Sequence, residues 1–207
     1  MVALIFNGTR GAWLAVLFLL IVLGVTLLRT HKKAIILGGM VLLLLLGVAG
    51  QNHGLQERVH TLGDASFQSN SERLLMWQSA WTMFLDHPLT GIGAQNYAQQ
   101  YQNQYISPLA KERYQVHAHN NFLQILAEQG IVGFTAFCFL FGTILRRGWQ
   151  EMKSNSLWGY ILFFSTMGLL LQGLTEFNFG NSAVIRLYWL LAGIAVVGLR
   201  LEKNEVR

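Results

Sequence analysis

Charged residues are scarce in this chain. Asp, Glu, Lys and Arg together make up 12% of it, against roughly 25% in an ordinary soluble domain. Hydrophobic residues make up 53% and mean hydropathy is +0.38. That balance excludes a disordered chain, a nucleic-acid-binding tail and an ordinary cytosolic enzyme. Cysteine is nearly missing as well. The one cysteine, Cys138, lies in an apolar run, which excludes a disulfide framework and a thiol-based metal site. What is left is an all-α integral membrane protein, a single membrane domain over its 207 residues. The formal net charge of +5 has two readings, an anionic partner or the basic cytoplasmic flank of membrane spans, and the second is the commoner in such proteins.

A span needs about 20 mostly apolar residues. Five runs qualify: 11–28, interrupted only by Thr26; 34–50; 122–145, with Glu128 inside it; 157–174; and 183–199, with Arg186 inside it. Basic clusters follow at Arg29, His31, Lys32 and Lys33, at Arg146, Arg147 and Lys153, and at Arg200, Lys203 and Arg207. These alternate consistently if all three are cytoplasmic. The expectation is about five transmembrane helices in the bacterial inner membrane, with residues 51–118 as a helical loop on the periplasmic face. The amino terminus would then lie outside too. Val2 to Phe6 are apolar and Asn7-Gly8-Thr9 makes a tight turn, so the start reads like the tail of a preceding span. A signal peptide fits poorly, for no basic segment comes first and no small-residue cleavage site follows. The chain is expected to begin partway through a larger membrane domain.

Within the loop, Ser69 with Glu72 makes a capping-box pattern, and Leu74, Trp77, Trp81 and Phe84 recur at helical spacing. An amphipathic helix over 71–85 follows, closed by His87-Pro88. Its aromatic face is expected to pack on the spans or to rest at the membrane interface, which favours Trp. A turn with Gly91 and Gly93 comes next, then a Tyr/Gln-rich segment, 96–105, that is expected to be helical.

A few polar residues stand where a lipid-facing chain would not put them. Arg10, at the outer end of the first run, either snorkels or serves a site. Arg186 lies just inside the outer end of the last run, where a charge faces a cavity or a partner; Glu176 is its expected partner, as an ion pair or as part of a site. Glu128 falls about 10 Å into the third run at 1.5 Å per residue, or on an interfacial turn before Gly130, and is expected to be structural. The densest constellation is His117-Ala118-His119-Asn120-Asn121 at the entrance of that run. Two histidines two positions apart project to different sides of a helix, unlike the i,i+4 zinc pair of a metalloprotease. No cysteine or carboxylate cluster supplies further ligands, so no metal site is expected. Capping of the helix start and catalysis both account for such residues.

Four segments, taken together, resemble a known family. His119-Asn120, then nine residues, then Gly130-Ile131-Val132-Gly133 is similar to the signature of O-antigen ligases and the related O-antigen polymerase superfamily. Thr9-Arg10-Gly11-Ala12-Trp13-Leu14 resembles that family's span start, with Thr where Ser is usual. Arg73-Leu74-Leu75-Met76-Trp77 resembles its arginine-bearing loop helix, and His87-Pro88-Leu89-Thr90-Gly91-Ile92-Gly93 the loop that follows. The resemblance covers roughly residues 8–145; beyond 157 only hydropathy agrees.

The resemblance implies a membrane-embedded GT-C-type glycosyltransferase. It would move a glycan from an undecaprenyl-diphosphate carrier to an acceptor hydroxyl, a sugar of the lipid A core in ligases. A polymerase would use another carrier-linked repeat as acceptor, and a protein O-oligosaccharyltransferase a protein. A non-catalytic truncated membrane protein or a transporter-like module is the competing class. The chemistry fits the residue types. Arginine stabilises charge on a departing diphosphate because its fork pairs with phosphate oxygens and stays charged; Arg10 and Arg73 are the candidates. Histidine, titrating near 6.5 as a residue type, suits removal of the acceptor proton; His119 matches the family's catalytic position and His117 is a neighbour. Glu176, Arg186 and Asn120 are secondary candidates, the first two for acceptor or diphosphate contacts. Gly130 and Gly133 are expected to allow close packing or a bend below the site. No cofactor or nucleic acid is implied; the partners are the lipid-linked donor, the glycan acceptor and membrane lipid.

Overall fold

The structure, a computed structural model, describes residues 68–205. Of the two compact units into which the chain divides, Met1–Ser71 and Glu72–Arg207, the second is the one described below. The runs at 11–28 and 34–50, and Arg10, lie outside the described residues. Those residues are helical and contain no strand.

The first helix, α1, runs Gln68–Asp86, close to the predicted 71–85, and the chain leaves it at the expected His87-Pro88. Its buried stripe is Glu72, Met76, Ser79, Ala80 and Met83, at the three- and four-residue spacing of one helix face. Of the predicted aromatic face, Leu74 and Trp81 are exposed while Trp77 and Phe84 are half-buried, so the most buried stripe is the neighbouring one. The reason lies in what meets the helix. Tyr97 and Tyr101, stacked with ring centroids 5.7 Å apart, fill the space beside α1, so small Ala80 and flexible methionines fit against them. The tyrosines come from the predicted Tyr/Gln-rich segment. It forms a short helix, α2, Tyr97–Gln100, and one wider π turn, Tyr101–Tyr105. Two side chains tie it to α1: Tyr97 Oη donates to the Met76 carbonyl at 3.2 Å, and Ser79 Oγ to the Tyr105 carbonyl at 2.6 Å.

A long helix, α3, covers Asn121–Lys153 but breaks at Gly130, whose φ of 61° and ψ of −164° are not helical. The 87–93 loop wraps this break. The amides of Ile92 and Gly93 donate to the carbonyls of Ala127 and Glu128, each at 2.9 Å, closing the end of the first piece. The amides of Ile131 and Val132 donate to the carbonyls of Pro88 and Leu89, at 2.8 and 3.3 Å, opening the second. Four backbone groups that a helix end leaves orphaned are thereby satisfied. The apolar run 122–145 is therefore two helices, 121–129 and 131–153. Glu128 lies before the break, buried, and its Oε1 accepts the Tyr97 amide at 3.2 Å. The predicted bend at Gly130 is present, and Glu128 serves the structure.

The second piece, roughly 34 Å long at 1.5 Å per residue, matches the ~30 Å core of a bilayer. It packs beside α4, Leu157–Gln172, and α5, Ser182–Glu205. Phe141, Leu162, Leu169, Tyr188, Ala192, Ala195 and Leu199 form the shared core. The apolar windows of α3 and α5 are long enough to cross a membrane, and only 28% of each is buried. A soluble core helix would be mostly buried; these turn most of their apolar side chains outward. At one end of the bundle, Glu151 binds Arg147 Nε at 2.9 Å and Lys203 Nζ at 2.6 Å, and Ser156 Oγ donates to Glu202. At the other end lie the histidines.

Candidate active site

Helix α1 does two jobs at adjacent positions. Glu72 is buried and accepts the Lys111 and Glu112 amides at 2.9 and 3.4 Å, while Arg73 is directed elsewhere. From α3, Gln124 accepts the Ala118 amide at 2.7 Å. The segment that carries His117 and His119 is thus pinned by side chains at both ends.

His119, Asn120 and Asn121 then divide three tasks. Asn120 is extended and caps α3: its Oδ1 accepts the Phe122 and Leu123 amides at 2.9 and 3.0 Å. Its Nδ2 donates to the Leu174 carbonyl at 2.8 Å. Asn121 donates its amide to the Gly173 carbonyl at 2.7 Å, and its Oδ1 accepts the Asn178 amide at 2.8 Å. A Cβ on Gly173 would lie 2.2 Å from Asn121 Nδ2, so that glycine is what lets the two segments touch. The turn 173–178 is in this way laced to the residues that follow His119. Glu176 is in that turn.

His119 has a φ of 48°, the left-handed region that non-glycine residues rarely enter and that clusters at functional sites. From there its Nδ1 lies 3.1 Å from Glu176 Oε2. The other carboxylate oxygen, Oε1, accepts from Arg73 Nη2 at 2.7 Å. One carboxylate joins the two. The three side chains are 28%, 25% and 28% exposed for Arg73, Glu176 and His119, so the cluster opens to one side. His117 lies edge-on to His119, centroids 4.2 Å apart, and against Phe177 at 5.7 Å. Its Nδ1 accepts the His119 amide at 3.4 Å.

Charge is distributed accordingly. Burial pushes Glu176 up, but the hydrogen bond from His119 and the Arg73 charge outweigh it and hold the carboxyl below its ordinary 4.5. Burial pushes His117 below its ordinary 6.5, and the neighbouring His119 adds to this. At neutral pH Glu176 is ionised and His117 neutral. An ionised carboxylate only accepts, so the hydrogen facing it sits on His119 Nδ1. In the neutral ring the Nε2 lone pair is then free to take a proton.

Four candidates from the sequence therefore converge: Arg73, His117, His119 and Glu176. One expectation is corrected. Arg186 does not pair with Glu176; its Nε and Nη2 turn back to the Ser182 carbonyl and hydroxyl at 2.8 and 2.9 Å, one turn away on its own helix. Glu176 has its two oxygens filled by Arg73 and His119. Both histidines lie at the entrance of the apolar run, ahead of the cap at Asn120. Asn120 itself caps α3 and ties it to the turn. Among the described residues, no group of three His, Cys, Asp or Glu is placed to hold a metal ion. Sequence reading passed over Gln124, took Glu72 for a capping-box residue where it instead accepts the Lys111 and Glu112 amides, and named Asn121 without its tie to the turn. All three are buried polar residues, two of them at the head of an apolar run, where an unpaired polar group is costly; that was the available signal.

A family model described as O-antigen ligase matches residues 1–138. It takes in Arg73, the 87–93 loop, both histidines and Gly130, and stops before Glu176. No curated protein matches the chain.

Proposed function

The chain belongs to the O-antigen ligase family, and from that premise we propose that it transfers a glycan from undecaprenyl diphosphate to an acceptor hydroxyl of the lipid A core. The family's activity is glycosyltransferase-like, on glycan and lipid-linked substrates at a membrane. What supports the finer reading is one observation, the meeting of Arg73 and His119 on Glu176.

The proposed reaction is a direct displacement. The acceptor oxygen attacks the anomeric carbon, and the bond from that carbon to the diphosphate oxygen breaks, its electron pair leaving with undecaprenyl diphosphate. His119 Nε2 takes the acceptor proton and later returns it to water. The anomeric centre inverts. Arg73 draws in the diphosphate and stabilises the charge that grows on it, with Arg10 as the second guanidinium on the strength of its motif. Two arginines supply the electrostatic stabilisation, so the reading is metal-independent. A base and a cation spaced by one carboxylate suit a substrate whose attacked carbon is one bond from its diphosphate.

Location follows the same reading. Arg146, Arg147, Lys153, Arg200 and Lys203 belong to the Glu151 end of the bundle, and the histidines to the other. Under the positive-inside rule the active site faces the periplasm. Complementation of a ligase-deficient strain tests the proposal. Restored surface polysaccharide with this chain, and its loss with His119→Ala, is expected; equal rescue by the variant would sink the assignment of the base.

A further inference from the structure

Arg73 and His119 carry opposite ends of the proposed chemistry, leaving-group charge and acceptor proton. In the structure they do not touch each other. Among the described residues they are joined through Glu176, whose Oε1 takes Arg73 at 2.7 Å and whose Oε2 faces His119 at 3.1 Å. The carboxylate occupies on Arg73 the kind of position a phosphate oxygen would take. Both anions want the same planar donor fork. A diphosphate that draws Arg73 toward itself withdraws positive charge from Oε1. The carboxylate then faces His119 with its charge less compensated, and that stabilises the imidazolium formed as the acceptor proton arrives.

We propose that Glu176 is a positioning residue that couples the two halves of the reaction, holding Arg73 in place while the donor is away and strengthening His119 as a base once the donor diphosphate has taken Arg73. This rests on the reading of His119 and Arg73 given above and revises the expectation that Glu176 contacts substrate. It makes base strength conditional on donor occupancy, so an acceptor bound alone meets a weaker base. Among the described residues, the titratable and charged groups that meet here are Arg73 from α1, His117 and His119 from the segment before α3, and Glu176 itself from the turn after α4. His117 is held neutral, so it adds no competing charge. The lacing of Asn120 and Asn121 to the turn keeps Glu176 and His119 in register through the exchange.

The test uses the full chain in detergent, with binding of undecaprenyl diphosphate and glycan transfer measured separately. Glu176→Gln keeps the shape and removes the charge. It is expected to bind undecaprenyl diphosphate as tightly as the wild type or several-fold tighter, since Arg73 is no longer held by a competing anion. Its kcat is expected to fall at least about tenfold, with the acid limb of the kcat profile moved to lower pH, because the imidazolium has lost its counter-ion. Glu176→Asp keeps the charge and is expected to recover part of kcat. A merely structural glutamate would loosen donor binding and kcat together. Unchanged kcat in Glu176→Gln, donor binding weakened in step with kcat, or equal losses in the Asp and Gln variants would each overturn the coupling. A wild type that binds no undecaprenyl diphosphate, or a His119→Ala variant with full kcat, would instead overturn the underlying reading, and the coupling with it.

Discussion

Gly130 and Leu89 are in backbone contact: a Cβ on Gly130 would lie 2.4 Å from the Leu89 carbonyl carbon, and the Val132 amide donates to the Leu89 carbonyl. The contact is reciprocal along the chain, for a Cβ on Gly91 would lie 2.3 Å from the Glu128 carbonyl carbon. Two motifs 37 residues apart by count, 93 to 130, are one joint. It closes the helix that begins beside His119 and opens the long apolar helix below.

Gly130→Ala is accordingly expected to be destabilising. Its φ and ψ belong to a region reserved almost entirely to glycine, at about 1–3 kcal/mol for a side chain, and the clash adds to this. Thermal unfolding in detergent should show a loss of about 3 kcal/mol or more. Gly91→Ala should behave alike, and the double variant should lose less than the sum, since the first change already opens the joint.

His119→Ala is expected to lower transfer by about 10²–10⁴, the range for removal of a general base, with binding of undecaprenyl diphosphate retained. Steady-state transfer and direct binding on the same preparation separate the two. Loss of binding in parallel with rate would mean that the ring serves the fold or the donor, not the acceptor proton.

Arg73→Ala is expected to weaken binding of undecaprenyl diphosphate by about tenfold to a hundredfold, as loss of charge-assisted hydrogen bonds worth ~1.5–3 kcal/mol implies. Arg73→Lys should fall between, because the charge stays and the planar fork is lost. Titration with undecaprenyl diphosphate in detergent reads this directly, and wild-type affinity in Arg73→Ala would remove the arginine from the donor site.

Asn120 offers a split between capping and lacing. Asn120→Asp keeps an acceptor for the Phe122 and Leu123 amides but sets a carboxylate against the Leu174 carbonyl. Asn120→Ala loses both contacts, at about 1–2 kcal/mol for the cap alone. If the lacing matters to the site, the Asp variant loses transfer although it keeps the cap. Near-normal rates in Asn120→Asp would show that capping alone suffices.

The acid side of stability follows from Glu176 and His117. Glu176 has a folded pKa depressed below 4.5, so its contribution is full above 4.5, declines as pH falls below that value, and is gone once pH passes the depressed folded value. His117, depressed below 6.5, acts in the same sense from a higher starting point: protonation favours the unfolded chain as pH falls through 6.5. Unfolding followed from pH 7 to pH 3 should therefore show stability declining in two steps. Glu176→Gln should flatten the lower one and deepen the upper, since the Glu176 charge opposes the depression of His117; a profile unchanged by the substitution would count against the ion pair.

Much of the fold was legible in local pattern. Periodicity and the His87-Pro88 stop located α1 to within a few residues, and apolar runs located α4 and α5. Gly130 marked a bend in the 122–145 run, but hydropathy does not tell a bend from a full break; the wrapping of 87–93 around residues 127–132 shows that the run is two helices. The buried face of α1 is a related case. Spacing says that one side is apolar, but which side is buried depends on Tyr97 and Tyr101, which reach the helix from farther along the chain.

The chain's shortage of charge, 12%, together with apolar runs of span length, pointed by itself to apolar helices at a membrane, since burial of apolar surface is a matter of composition and local spacing. Local chemistry likewise made His119 and Arg73 stand out as residue types suited to a proton and a diphosphate. Which carboxylate serves them was decided by tertiary structure alone. Glu176 lies 103 residues from Arg73 and 57 from His119, whereas sequence proximity points to Arg186. A hydrogen bond depends on a separation of about 3 Å in space, and that separation comes from Asn120, Asn121 and Gly173 bringing two distant turns into contact.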